Sequence, residues 1–196
     1  MGALLAVMTP LRLVNEMLLT IGRAIGIVAV AAMVVAILIQ VFYRYALNNA
    51  LPWPDEAARF CMLWMTGLMA PTAFRRGGFV AIDTVVQFLP RTLGALLSLI
   101  LLFVSLGVML VAVQIGWSEV TGFAGRFATA SLYIPTDFSF ENWMRVPRSW
   151  MMASLLVGLV LLISVNVELI LRTIVRMMGG GDLLPPITLE EELGAE

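Results

Sequence analysis

The sequence predicts an all-α integral membrane protein with four transmembrane helices, interfacial amphipathic helical segments and both termini cytoplasmic. Three observations carry this expectation. The 196 residues are 61% hydrophobic and only 13% charged, whereas roughly a quarter of an ordinary soluble domain is charged. The mean hydropathy is +0.97. The charges also fall in clumps, which leaves long uncharged runs between them.

Arg23 and Arg44 enclose the first run, residues 24–43, long enough to cross a hydrocarbon layer of about 30 Å. The second, residues 60–74, lies between Arg59 and Arg75 and reaches spanning length only if both arginines snorkel from its ends. Residues 92–118 and 149–167 are the third and fourth. With their flanks, the spans are placed at about 22–46, 56–75, 91–117 and 148–171. They make up a membrane domain over residues 1–178, followed by a flexible acidic cytoplasmic tail over 179–196.

The N-terminal residues read as an extension of the first helix. Thr9 and Pro10 suit an N-cap and first-turn pair, and Arg12, Asn15 and Glu16 break the apolar pattern as an interfacial helix would. No basic residue precedes the first apolar stretch, so a cleaved leader is not expected. Arginine counting sets the orientation. Seven arginines (Arg12, Arg23, Arg75, Arg76, Arg91, Arg172, Arg176) fall on one side and five (Arg44, Arg59, Arg126, Arg145, Arg148) on the other, which places the first side in the cytoplasm.

Residues 78–90 are apolar but too short to span, and are expected along the cytoplasmic interface with Asp83 and Gln87 toward water. The connection 117–147 is rich in aromatics, including Trp117, Phe127, Tyr133 and Trp143. Such residues favour the headgroup level, so this loop is expected to hug the outer surface, with Pro147 opening the last helix. In the tail, Gly and Pro breakers precede an acidic end, where Thr188 and Glu191 have capping-box spacing.

Several residue types narrow the chemistry. The chain has no His, the usual axial ligand of a haem anchor and a common zinc ligand, so no cofactor or metal is expected. Cys61 is the single Cys; it cannot form an intrachain disulfide and reads as packing. The net charge of −1 gives no reason to expect nucleic acid. The thirteen Met residues read as gap filling.

The densest pattern is the segment 50–78. Pro54 suits the first turn of a helix, and Asp55 and Glu56 suit the positive end of its dipole. Asp55 and Arg59 have the favourable i, i+4 order. Arg75 and Arg76 suit the other end, Trp53 an outer interface, and Pro71 a bend. These structural readings account for most of the charge. They leave unexplained why Trp53, Glu56, Arg59, Trp64, Arg75 and Arg76 crowd into one segment, with Asp83 following a Gly pair.

Trp53-x-x-Glu56-x-x-Arg59, Trp64 and Gly67 in the helix, Arg75-Arg76-Gly77 and Val80-x-Ile82-Asp83 together resemble the DctQ-type small membrane subunit of tripartite ATP-independent periplasmic (TRAP) transporters. The segment from Ser131 to Leu156, with Ile-Pro before an aromatic run and a second Pro before the last helix, is similar to that family's second recurring stretch. The resemblance runs from the first helix to Arg176. One departure is Phe79, where the family commonly has His; any polar contact of that side chain is not available to Phe.

The resemblance implies a non-catalytic small permease subunit in the bacterial inner membrane. Its partners would be a large multi-span permease subunit, a periplasmic substrate-binding protein and membrane lipid. The system would take up organic acids (carboxylates) by symport with an ion, commonly sodium, and the small subunit would act as a scaffold. Trp53, Asp55, Glu56, Arg59, Trp64, Arg75, Arg76 and Asp83 are then interface or structural candidates, with the Asp55–Glu56–Arg59 group expected to dock a partner.

Unaided, the residues agree with a passive role, because intramembrane ionisable groups mark transport pathways and the middle of each span lacks them. Glu168, near the end of the last span with Arg172 four residues on, is expected as a surface or interfacial pair. Gln40 and Gln114 are expected to bond neighbouring helices, and Gly22-x-x-x-Gly26 and Ala112-x-x-x-Gly116 have the spacing of helix-packing faces. The alternatives are a self-contained homo-oligomeric transporter, which would want a carboxylate in an early span, a membrane anchor of another complex, and a membrane-embedded enzyme, which would want clustered polar residues at one depth.

Overall fold

The computed structural model describes residues 2–76, 90–136, 142–180 and 184. Its elements are four helices, α1 (Gly2–Tyr45), α2 (Trp53–Arg75), α3 (Arg91–Thr121) and α4 (Arg148–Met177), with a short 3-10 turn (Ala124–Arg126) and two strands, β1 (Ala128–Pro135) and β2 (Trp143–Pro147), between α3 and α4. Met8–Tyr45, Leu93–Thr121 and Arg148–Met177 are long and apolar enough to cross a membrane. The 23 residues of α2 extend about 35 Å at the helical rise, but Asp55, Glu56, Arg59 and Arg75 make it the least apolar of the four. The close contacts run α1–α2–α4–α3, and α1 also touches α4.

One helix start differs from expectation. α1 begins at Gly2 and runs through Pro10, so Thr9 and Pro10 do not cap it. Pro10 is the ninth residue of the helix, past the four N–H groups that lack a partner in any helix, so it forgoes the bond to the carbonyl of residue 6 and interrupts the first turns. α4 takes Pro147 as its N-cap and begins at Arg148. The outer connection is not loop alone: β1 and β2 pair antiparallel, with Tyr133 opposite Arg145 and Pro135 opposite Trp143. Thr129 Oγ1 donates to Val146 O at 2.8 Å, and Arg148 N donates to Phe127 O at 2.8 Å, closing the hairpin at its base. The all-α expectation therefore holds for the bundle and needs this hairpin added.

Packing relies on small residues, as it must where lipid supplies no hydrophobic drive between helices. A Cβ on Gly158 would lie 2.6 Å from Gly67 O, and one on Gly67 would collide with Ser154 O, so α2 and α4 cross backbone to backbone. Gly22 and Gly26 of α1 face Leu68 and Met69 of α2, and Gly116 of α3 faces Leu156 and Leu159 of α4. The expected packing faces are thus used within the chain. Asn166 of α4, fully buried, donates from Nδ2 to Ser105 Oγ of α3 at 2.6 Å. Large apolar side chains stay exposed along α1 (Val28, Leu38, Phe42) and α3 (Phe103, Val108, Val111).

Candidate functional site

The polar side chains gather at the two ends of the bundle. At the end that holds the start of α1 and the end of α4, Glu168 is 0% exposed. Its Oε1 accepts from Arg75 Nη2 of α2 at 2.7 Å and from Arg172 Nε at 3.1 Å; its Oε2 accepts from Asn15 Nδ2 of α1 at 2.8 Å. Asn15 Oδ1 in turn accepts from Ser164 Oγ at 2.6 Å. Glu16 lies 3.5 Å from both Arg75 and Arg12, at the rim. An ionised carboxylate is kept from water only where its oxygens are paired and bonded, and here both are. The cluster ties three helices to one side chain.

The expected Glu168–Arg172 pair therefore forms, but in the interior and not on the surface, because α1 and α2 close over it. Asn15 is likewise turned inward, 1% exposed, and does not belong to an interfacial polar face. Sequence reasoning missed both. The available signal was Ser164, Glu168 and Arg172 at steps of four, which puts all three on one face of α4.

At the hairpin end, Glu56 fastens β1 to α2. Oε1 accepts from Ala130 N at 3.0 Å; Oε2 accepts from Ser131 N and from Ser131 Oγ, both at 2.6 Å. Ser131 Oγ also lies 2.9 Å from Pro52 O. Asp55 accepts from Gln40 Nε2 of α1 at 3.3 Å. The expected Asp55–Arg59 pair does not form among the described residues, because Asp55 turns to α1 while Arg59 lines a cavity between α2, α3, α4 and the hairpin. Replacing Glu56 by Ala removes three hydrogen bonds that hold the hairpin. Each contributes about 0.5–1.5 kcal/mol net, more where a charge is involved, so proteolysis within 128–147 is expected to quicken several-fold while helicity by circular dichroism stays unchanged.

The eight residues singled out from the sequence are thus divided between the ends. Asp55, Glu56 and Arg59 stand at the hairpin end with Trp53, which is 39% exposed. Trp64 lies along α2 beside Phe60, ring centroids 6.3 Å apart, and its buried Nε1 has no acceptor among the described residues. Arg75 is in the Glu168 cluster, and Arg76 is exposed at the end of α2. Asp83 lies outside the described residues, as do Phe79, the interfacial reading of 78–89 and the capping box of the tail.

A four-helix bundle with a fastened outer hairpin is the context in which comparison with known families becomes informative. The family model for the DctQ component of tripartite ATP-independent periplasmic transporters matches residues 33–176, well over half of the chain. The chain belongs to the DctQ family. It is a small permease component of a TRAP transporter, a transport subunit and a membrane protein, in a family that works with a large permease and a periplasmic binding protein. No curated protein matches the chain. The family match takes in α2, the hairpin and α4, and hence Glu56, Arg59, Arg75 and Glu168. It begins after Asn15, so the α1 ligand of the cluster lies outside it.

Proposed function

We propose that this DctQ-family chain is a static membrane scaffold for the large permease subunit of a carboxylate-uptake system in the bacterial inner membrane. It crosses four times, with both termini in the cytoplasm, and an ion gradient, commonly of sodium in this family, drives the large subunit. The observation that carries the scaffold reading is Glu168. It is the one fully buried carboxylate among the described residues, and two guanidinium groups and an amide already occupy its oxygens. A carboxylate that bound and released an ion in every cycle would need a free coordination site; this one is committed to holding helices together.

The crossing of α2 is supported by its length and by its ends. Asp55 and Arg75, twenty residues and so about 30 Å apart along the helix, bond to α1 at one end and to α4 at the other. Its reduced apolarity fits a helix flanked by α1 and α4 and shielded by them from lipid. The exposed apolar faces of α1 and α3 leave room for both lipid and a large partner.

Purification of the tagged chain from its native membrane in mild detergent, with mass spectrometry of what accompanies it, tests the proposal. A stoichiometric multi-span protein several times larger is expected. Recovery of this chain alone, monodisperse across several detergents, would favour a self-contained oligomer and return Glu168, Gln40 and Gln114 to consideration as transport residues.

A further inference from the structure

The cavity at the hairpin end encloses about 560 Å³, within the range of about 300–1,000 Å³ typical of small-molecule sites. Its walls are graded along the helix axes. α2 contributes Arg59 and, one turn deeper, Leu63; α4 contributes Arg148 and, one and two turns deeper, Met152 and Leu155; α3 contributes Glu119 at its outer end. Charge thus lies at one level and apolar surface directly beneath it.

Tryptophan marks that level. Four of the five Trp residues, Trp53, Trp117, Trp143 and Trp150, are exposed at this end, where the aromatic belt of a membrane protein meets the headgroups. Neither the Arg59 nor the Arg148 guanidinium has a hydrogen bond or ion pair among the described residues, and the Glu56 carboxylate beside them is turned to the amides of Ala130 and Ser131. The carboxylates of Glu56 and Glu119 balance the two arginines in net charge, but neither pairs with them among the described residues, so the guanidinium donors of Arg59 and Arg148 are left for an added acceptor, which a phosphodiester supplies.

We propose that this cavity holds one anionic glycerophospholipid. Arg59 and Arg148 grip its phosphate by charge-assisted hydrogen bonds, and its acyl chains leave over Leu63, Met152 and Leu155. Basic pockets between membrane helices are a recurring way to hold such headgroups. Seated there, the lipid would join α2 to α4 at the hairpin end, where no side-chain hydrogen bond links these two helices among the described residues. The proposal does not depend on docking to a large subunit.

Native mass spectrometry of the full chain, reconstituted with phosphatidylglycerol or phosphatidylcholine and released from detergent, tests it. One phosphatidylglycerol per chain is expected, with retention falling about tenfold for each of Arg59→Gln and Arg148→Gln, the effect of losing a charge-assisted contact. Leu155→Trp, which fills the apolar floor and leaves both arginines in place, should also expel it; this second route keeps the test decisive if an arginine variant folds poorly. Equal retention of phosphatidylcholine would overturn the charge assignment. Displacement by inorganic phosphate would overturn the lipid assignment in favour of a free anion. Lipid content unchanged in the variants, together with loss of a co-purifying protein, would overturn it in favour of a protein partner.

Discussion

Glu168→Ala is expected to destabilise the protein by about 3–5 kcal/mol, the usual result of removing one member of a buried ion cluster. The loss comes less from the vanished attraction than from what remains. Arg75 and Arg172 are 6% and 3% exposed, and without the carboxylate they would face each other across a cavity from which water is largely excluded. Asn15 Nδ2 would keep only its longer contact to Ser164 O at 3.3 Å. Glu168→Gln retains the shape and one acceptor oxygen but removes the charge, so its cost should be smaller yet still measurable. A cycle through Arg75→Met, Glu168→Met and the double variant isolates the coupling between the two groups. Removal of both should be less damaging than removal of Glu168 alone, because an apolar pair leaves only Arg172 to find a new partner. Thermal unfolding in detergent, followed by circular dichroism, reads all of these. The same variants separate a scaffold from a transporter. A scaffold loses stability and, through it, uptake; an ion-binding carboxylate would lose uptake in Glu168→Gln with stability and assembly unchanged.

The origin of that cluster shows what sequence could and could not deliver. The helices were legible because their signals are local: uncharged runs of bilayer length, Pro147 before α4, acids at the start of α2. The DctQ resemblance was legible because its residues sit at fixed spacings along α2 and ahead of α4. The meeting of Asn15, Arg75 and Glu168 was not, because it joins residues 153 and 93 positions apart along the chain. A polar residue near the end of an apolar helix faces headgroups or a neighbouring helix according to packing that no single window contains. Asn15 and Glu168, interfacial by their local pattern, are therefore interior in the fold. The hairpin was missed for a related reason. Residues 128–135 alternate weakly, and their seating on α2 rests on Glu56, on a different element, supplying acceptors for the amides of Ala130 and Ser131. Arg59 shows the converse. Its spacing from Asp55 predicted an ion pair, but Gln40 of α1 offers Asp55 a donor, and the arginine is left to the cavity.

Gly158→Leu is the second large effect, and it acts midway between the two polar ends. A Cβ at this position would sit 2.6 Å from Gly67 O and 2.9 Å from Gly67 Cα. Both neighbours are backbone, so no rotamer change can relieve the clash and the helices must separate. Overpacking a tight interior costs about 1–3 kcal/mol where side chains can yield, and the upper part of that range or beyond is expected here. Separation would reach past the crossing point. Ser154 lies one turn from Gly158 against Gly67, while Arg75 must reach Glu168 within 2.7 Å from the far end of α2. A wedge at Gly158 tilts α2 from α4 and pulls on that contact, so Gly158→Leu and Glu168→Ala should be non-additive, the double variant costing less than the two single losses combined. Gly158→Ala adds the same Cβ without further bulk and should show a smaller form of the effect. Gly107→Ala is the control: a Cβ there meets nothing within 4 Å, and helix propensity alone should make that change neutral or stabilising by up to about 1 kcal/mol. Equal unfolding temperatures for Gly158→Leu and Gly107→Ala would mean that the α2–α4 crossing does not hold this bundle together.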